Sequence, residues 1–154
     1  MKRHLFLLVM PVTFVICATV FAASAPVNFS GMWKLNRAKT DAGPANTPKK
    51  MSMKIEQHGN EMSIWYYVTD GLGDHDWGSN YTLDGKTNHN SWDGIEVKTS
   101  QQWAGDSLAV NVRRGTSQYK ETWSLSADAK IMTIVRHTIF ARSDLTETFV
   151  YDKQ

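Results

Sequence analysis

MSMKIEQHGNEMSIWYYV, residues 51–68, alternates in steps of two on either side of a turn. Met51, Met53 and Ile55 are interleaved with Ser52, Lys54 and Glu56. After His58-Gly59-Asn60 the apolar set resumes at Met62, Ile64, Tyr66 and Val68. Successive side chains of a strand point to opposite faces, so period two marks a strand with one buried face. Gly and Asn in the middle supply the positive φ that a tight hairpin needs. The stretch is therefore a β-hairpin.

The same pattern recurs along the chain. Leu108, Val110 and Val112 share one face; so do Ile131, Thr133, Val135, His137 and Ile139, and then Leu145, Glu147, Phe149 and Tyr151. Turn signals lie at Asp84-Gly85, Asp93-Gly94, Ala104-Gly105-Asp106, Ser126 to Lys130 and Arg142-Ser143-Asp144. Ala38 to Pro48 reads as a loop from its Gly, Pro and Asn. Helical periodicity is almost absent. Nine or ten strands follow, each antiparallel to the next. An open sheet of that many twisted strands leaves two unpaired edges, which closure removes. The expected fold is all-β: an antiparallel up-and-down barrel of eight to ten strands, with a sandwich as the alternative.

The N-terminus sets the expected compartment. Lys2, Arg3 and His4 precede an uncharged run from Leu5 to Ala23. Val20 and Ala22 suit signal-peptidase cleavage after Ala22; a cut after Ala25 would leave Pro26 next. Residues 1–22 are read as a secretory signal peptide and 23–154 as the barrel domain. An uncleaved anchor is the alternative, with Pro11 counting against it. A periplasmic or secreted protein is expected, without stable membrane insertion after cleavage. Cys17, the single cysteine, leaves with the leader. The mature chain then has no disulfide and no thiol chemistry.

Composition excludes more than it assigns. The chain carries 17 Lys+Arg against 15 Asp+Glu, and loss of Lys2 and Arg3 balances the signs. Nucleic acid, whose binders show a basic stripe, is not an expected partner. No Gly-x-Ser-x-Gly and no phosphate-cradling glycine loop is present, and no cofactor is expected. Asp74, His75, Asp76 and His89 are close in sequence but lack ligand spacing, and no metal site is assigned.

Phe29-Ser30-Gly31-Met32-Trp33-Lys34-Leu35 resembles the first strand of the lipocalin and fatty-acid-binding superfamily, with its Gly-x-Trp. ETWSLSADAKIMTIVRH (121–137), the Trp92-Asp93-Gly94 turn and the VYDKQ ending (150–154) resemble small exported bacterial lipocalin-like proteins. Those usually carry Asp-Gly-Lys where this chain has Asp128-Ala129-Lys130. The resemblance implies that Gly31 and Trp33 plug one end of the barrel, with a late-strand arginine, Arg136 or Arg142, on the indole face.

Two site hypotheses follow. Alternation places Tyr66, Trp77, Trp92, Trp103, Tyr119, Trp123, Phe149 and Tyr151 toward the lumen, as walls for a small apolar or aromatic ligand. Trp77 and Trp92 flank the Asp84-Gly85 turn symmetrically and form a lip at the mouth. Counting across the hairpins also gathers Glu121, His137 and Glu147, with Tyr119 and Tyr151 nearby, as an acid–base cluster for an isomerase, lyase or hydrolase. A slip of one residue would turn any such strand face outward. The expected function is small-molecule binding, with the enzyme and a packed, non-catalytic interaction module as rivals. Oligomeric state is left open.

Overall fold

The computed structural model describes residues 27–43, 47–92, 94–140 and 143–154. The expected leader and its cleavage site lie outside these residues, as do Asp93 and Arg142. Ten strands follow one another: β1 (Gly31–Leu35), β2 (Lys50–His58), β3 (Glu61–Thr69), β4 (Asp74–Thr82), β5 (Asp84–Trp92), β6 (Ile95–Ala104), β7 (Ser107–Arg114), β8 (Ser117–Leu125), β9 (Ile131–Phe140) and β10 (Ser143–Lys153). Each pairs antiparallel with its sequence neighbour except β4 with β5, and β1 pairs with β10. The result is a nearly closed barrel, open along one seam.

At that seam side chains replace the ladder. Asn80 N–H donates to Asn90 Oδ1 at 2.8 Å, and Asn90 Nδ2 returns a bond to the Asn80 carbonyl at 3.2 Å. Thr82 N–H donates to Asn88 Oδ1 at 3.0 Å, and Asn88 Nδ2 to Gln101 Oε1 at 2.8 Å. Backbone groups at a sheet edge need partners, and the side chains of two asparagines, Asn88 and Asn90, supply them to Asn80 and Thr82 where no ladder joins the strands. The expected β4–β5 hairpin is therefore an adjacency without strand pairing.

One end is closed by the stretch around Gly31. Trp33 is fully buried, and its Nε1 donates to the Phe29 carbonyl at 2.8 Å. Phe29 stacks on Trp103 and meets Trp123 edge-on, both at 6.1 Å between ring centres. Gln57 ties the entering chain down, accepting from Phe29 N–H at 3.0 Å and donating to the Val27 carbonyl at 3.1 Å. The cation over the indole is Lys153, 5.3 Å from the ring centre and opposite Trp33 in the β1–β10 register. Arg136 does not reach this end. That expectation is corrected: β9 carries Arg136 into the upper lumen, and β10 delivers the floor cation instead.

The face of β9 is also corrected. Met132, Ile134 and Thr138 are buried, whereas Val135 is 37% exposed. Leu125 pairs with Met132 and Glu121 with Arg136, so the even-numbered residues point inward. The connection holds Ala129 at φ 53°, a left-handed residue that shifts β9 by one place relative to simple counting.

Candidate functional site

Between the floor and the open end lies a small internal void of about 70 Å³. One wall is aromatic. Tyr66 stacks on Trp77 at 5.1 Å between ring centres, and Trp92 lies tilted 6.1 Å from Trp77 and 6.2 Å from Tyr66. Trp92 crosses the seam, its Nε1 donating to Ser79 Oγ at 2.7 Å. Trp77 Nε1 is buried and has no hydrogen-bond partner among the described residues. Tyr119, Glu121, Trp123, Arg136, Phe149 and Tyr151, from strands on the other side of the barrel, complete the enclosure.

Arg136 organises that second wall. Its guanidinium sits 4.4 Å from the Tyr119 ring centre and 4.9 Å from that of Phe149. Nε donates to Glu121 Oε1 at 2.9 Å, Nη2 lies 2.9 Å from the same oxygen as an ion pair, and Glu147 Oε2 lies 4.0 Å from Nη1. Glu121 Oε2 accepts from Trp123 Nε1 at 2.8 Å. Burial pulls the arginine's pKa down, but the Glu121 charge, with Tyr119 and Glu147, raises it overall. Arg136 is thus a permanent cation, held by two carboxylates in a largely buried setting. Burial also pushes the tyrosines up: Tyr81 to about 12, with Tyr66, Tyr119 and Tyr151 raised as well. All four remain neutral O–H groups at ordinary pH. Tyr66 and Tyr81 share a hydroxyl contact at 3.3 Å, and Tyr151 donates to Met51 Sδ at 3.3 Å.

Of the sequence-derived ligand residues, Tyr66, Trp77, Trp92, Tyr119, Trp123, Phe149 and Tyr151 surround the void. Trp103 belongs to the closed end, stacked on Phe29. The acid–base cluster does not assemble. Glu121 and Glu147 are buried and face Arg136, but His137 lies on the outer surface, 3.1 Å from Asp144 Oδ1 and 3.0 Å from Thr146 Oγ1. The one-residue shift of β9 exchanges Arg136 for His137 in the interior, and no residue of the trio keeps an imidazole within reach. His75 pairs with Asp70 at 3.4 Å and His89 with Glu96 at 2.9 Å.

Sequence reading missed Arg136 as a lumenal residue, Lys153 at the floor and Tyr81 in the wall. Tyr81 was accessible in principle from the Trp77, Ser79, Tyr81 alternation. A larger hollow, about 1060 Å³, runs over the outer wall and rim of β1 to β4. It is open to solvent and lined by charges of both signs, including Lys34, Lys50, Asp74 and Asp152. Leu35, Met51, Tyr67 and Val68 line it as well; the internal void remains the candidate site because it is enclosed and gathers the aromatic rings with the Arg136–Glu121 pair.

No protein-family profile and no curated protein matches the chain. Solved structures do match it in shape. REP1-NXSQ fatty acid transporter superposes with a TM-score of 0.62 at 16% identity, over 82% of this chain and 96% of that one. Echinococcus granulosus fatty-acid-binding protein 1 gives 0.62 at 12%, over 81% and 96%. Human cRBP IV gives 0.55 at 14%, over 84% and 100%. At these identities the likeness is one of fold: an all-β, ten-stranded, nearly closed barrel of the fatty-acid-binding and lipocalin-like kind.

Proposed function

We propose that the chain is an exported protein that binds a small, flat, largely apolar molecule in the upper lumen. The observation that carries this reading is the void's wall: three large aromatic rings, Tyr66, Trp77 and Trp92, beside the unladdered seam, with a buried indole N–H that has no acceptor among the described residues. Structural neighbours named for fatty-acid transport and binding support a barrel used as a container.

The void limits the ligand. At about 70 Å³ it holds roughly two water molecules. A one-ring ligand enters only when Trp92 breaks its bond to Ser79 and turns aside, which is easiest at the seam because no backbone ladder holds the strands there. A long acyl chain has no room in this packing.

The test is native mass spectrometry of protein taken from its own host, together with titration of an apolar fluorescent dye. Wild-type protein should bind dye; Trp77→Ala/Trp92→Ala should change the affinity at least about fivefold while the far-ultraviolet dichroism stays that of a barrel. The small void also favours a second reading, a packed interaction module. Absence of any co-purifying molecule and of dye binding would establish that reading and end the first. Export has its own check: protein isolated from the host should begin at Ala23, and one beginning at Met1 would remove the leader from the proposal.

A further inference from the structure

The charges beside the void constrain which head group it accepts. Its wall contains one carboxylate, Glu121, and one guanidinium, Arg136, and these are bound to each other. Glu121 spends its second oxygen on Trp123, and Glu147 stands on the far side of the guanidinium. Arg114, which reaches the Trp92 carbonyl at 3.5 Å, is not part of the wall. An incoming carboxylate would have to displace Glu121 from Arg136 and would then add a third anion around one cation. Although the Arg136 side chain keeps some solvent, with 31% of it exposed, Glu121 and Glu147 are buried, and an added charge without its own partner beside them is disfavoured.

The other polar groups of the wall are the hydroxyls of Tyr66, Tyr81, Tyr119 and Tyr151 and the indole N–H of Trp77; Tyr66 and Tyr81 contact each other and Tyr151 donates to Met51, which leaves the indole as the buried donor without a partner among the described residues. Trp77 carries it on a ring stacked face to face with Tyr66 at an interplanar angle of 18°. Leaving a buried N–H unmatched is costly, and a neutral acceptor satisfies it without bringing charge.

Resting on the lumenal-binding reading, we infer that the void selects uncharged aromatic molecules carrying a carbonyl or ether oxygen, anchored by the Trp77 indole N–H, over carboxylates of the same shape. Arg136 is a structural cation here and not a receptor for acidic head groups. Its partners already complete it. Selectivity arises from Trp77 and from the neutralised pair together: the first rewards an acceptor, the second penalises an anion.

Three one-ring probes separate the possibilities: acetophenone, toluene and benzoate, titrated by NMR into the full-length mature protein. Acetophenone should bind about tenfold or more tighter than benzoate, because only benzoate brings an unpaired charge. Trp77→Phe keeps a stacked ring and removes the N–H; it should weaken acetophenone about fivefold more than toluene, the factor of one hydrogen bond. Benzoate binding as tightly as acetophenone, or equal losses for acetophenone and toluene in Trp77→Phe, would overturn the inference while lumenal binding stands. No binding of any of the three would overturn both.

Discussion

At the scale of single residues, the closed end depends on one glycine. Gly31 has φ 143°, and a Cβ built there would lie 2.6 Å from Lys153 Cε. The missing side chain lets the lysine stem cross the strand and put its ammonium over Trp33. The indole is fully buried and hydrogen-bonded, so Trp33→Ala should lower the unfolding free energy by about 3–5 kcal/mol in urea denaturation. A loss under about 1 kcal/mol would mean that the end does not depend on it. Ala129 presents the reverse case. It occupies φ 53°, where an L side chain is strained, within a turn in which its N–H bonds the Ser126 carbonyl at 2.8 Å. Ala129→Gly should therefore raise stability by about 1 kcal/mol, read as a higher urea midpoint at unchanged slope. An unchanged or lower midpoint would show that this strain is not stored there.

At the scale of elements, β9 shows why alternation alone misleads. Its odd positions are Ile131, Thr133, Val135 and His137; its even positions are Met132, Ile134, Arg136 and Thr138. Each face has two aliphatic groups, a threonine and one basic group, so hydropathy does not choose between them. The choice is made by β8 and β10, which place Glu121 and Glu147 opposite Arg136. Those two glutamates were legible as inward because their own strands are asymmetric. Removing one should expose the dependence: Glu121→Ala leaves Arg136 and the Trp123 N–H without their partner, and should cost about 3 kcal/mol in urea unfolding. This is the low end for a buried pair, because Arg136 retains Glu147 and some solvent. A cost under about 1 kcal/mol would mean that water replaces the carboxylate without penalty. The seam belongs to this scale too. Turn signals at Asp84-Gly85 predicted a hairpin, but β4 and β5 meet through Asn80, Asn88 and Asn90 rather than through a ladder.

At the scale of the whole barrel, the interior is a shared low-dielectric volume in which four tyrosines resist ionisation. Unfolded tyrosines ionise near pH 10; burial holds Tyr81 to about 12 and raises Tyr66, Tyr119 and Tyr151. The folded state thus keeps protons that the unfolded chain gives up. The stabilisation is fully present below about pH 10 and is lost as pH rises through the folded values. The urea midpoint should fall between about pH 9 and about pH 11, with tyrosinate absorbance of the buried set appearing together with unfolding. A flat midpoint over that interval would mean that water reaches the tyrosines in the native barrel. The same packed volume explains the small void: large aromatic rings fill a barrel that, in other proteins of this shape, is named for fatty acids.

The sequence by itself determined the all-β class and the antiparallel succession of strands except at β4–β5, because period two and turn residues are local signals that need no distant partner. It also determined that Gly31 and Trp33 belong together at the head of β1. Tertiary structure alone decided which face of β9 is buried, which cation covers Trp33, and where the barrel stays unladdered. Those outcomes depend on pairings between residues far apart in the chain, such as Trp33 with Lys153 and Glu121 with Arg136. A shift of one residue leaves the pattern of β9 equally apolar on both faces and changes every contact its side chains make.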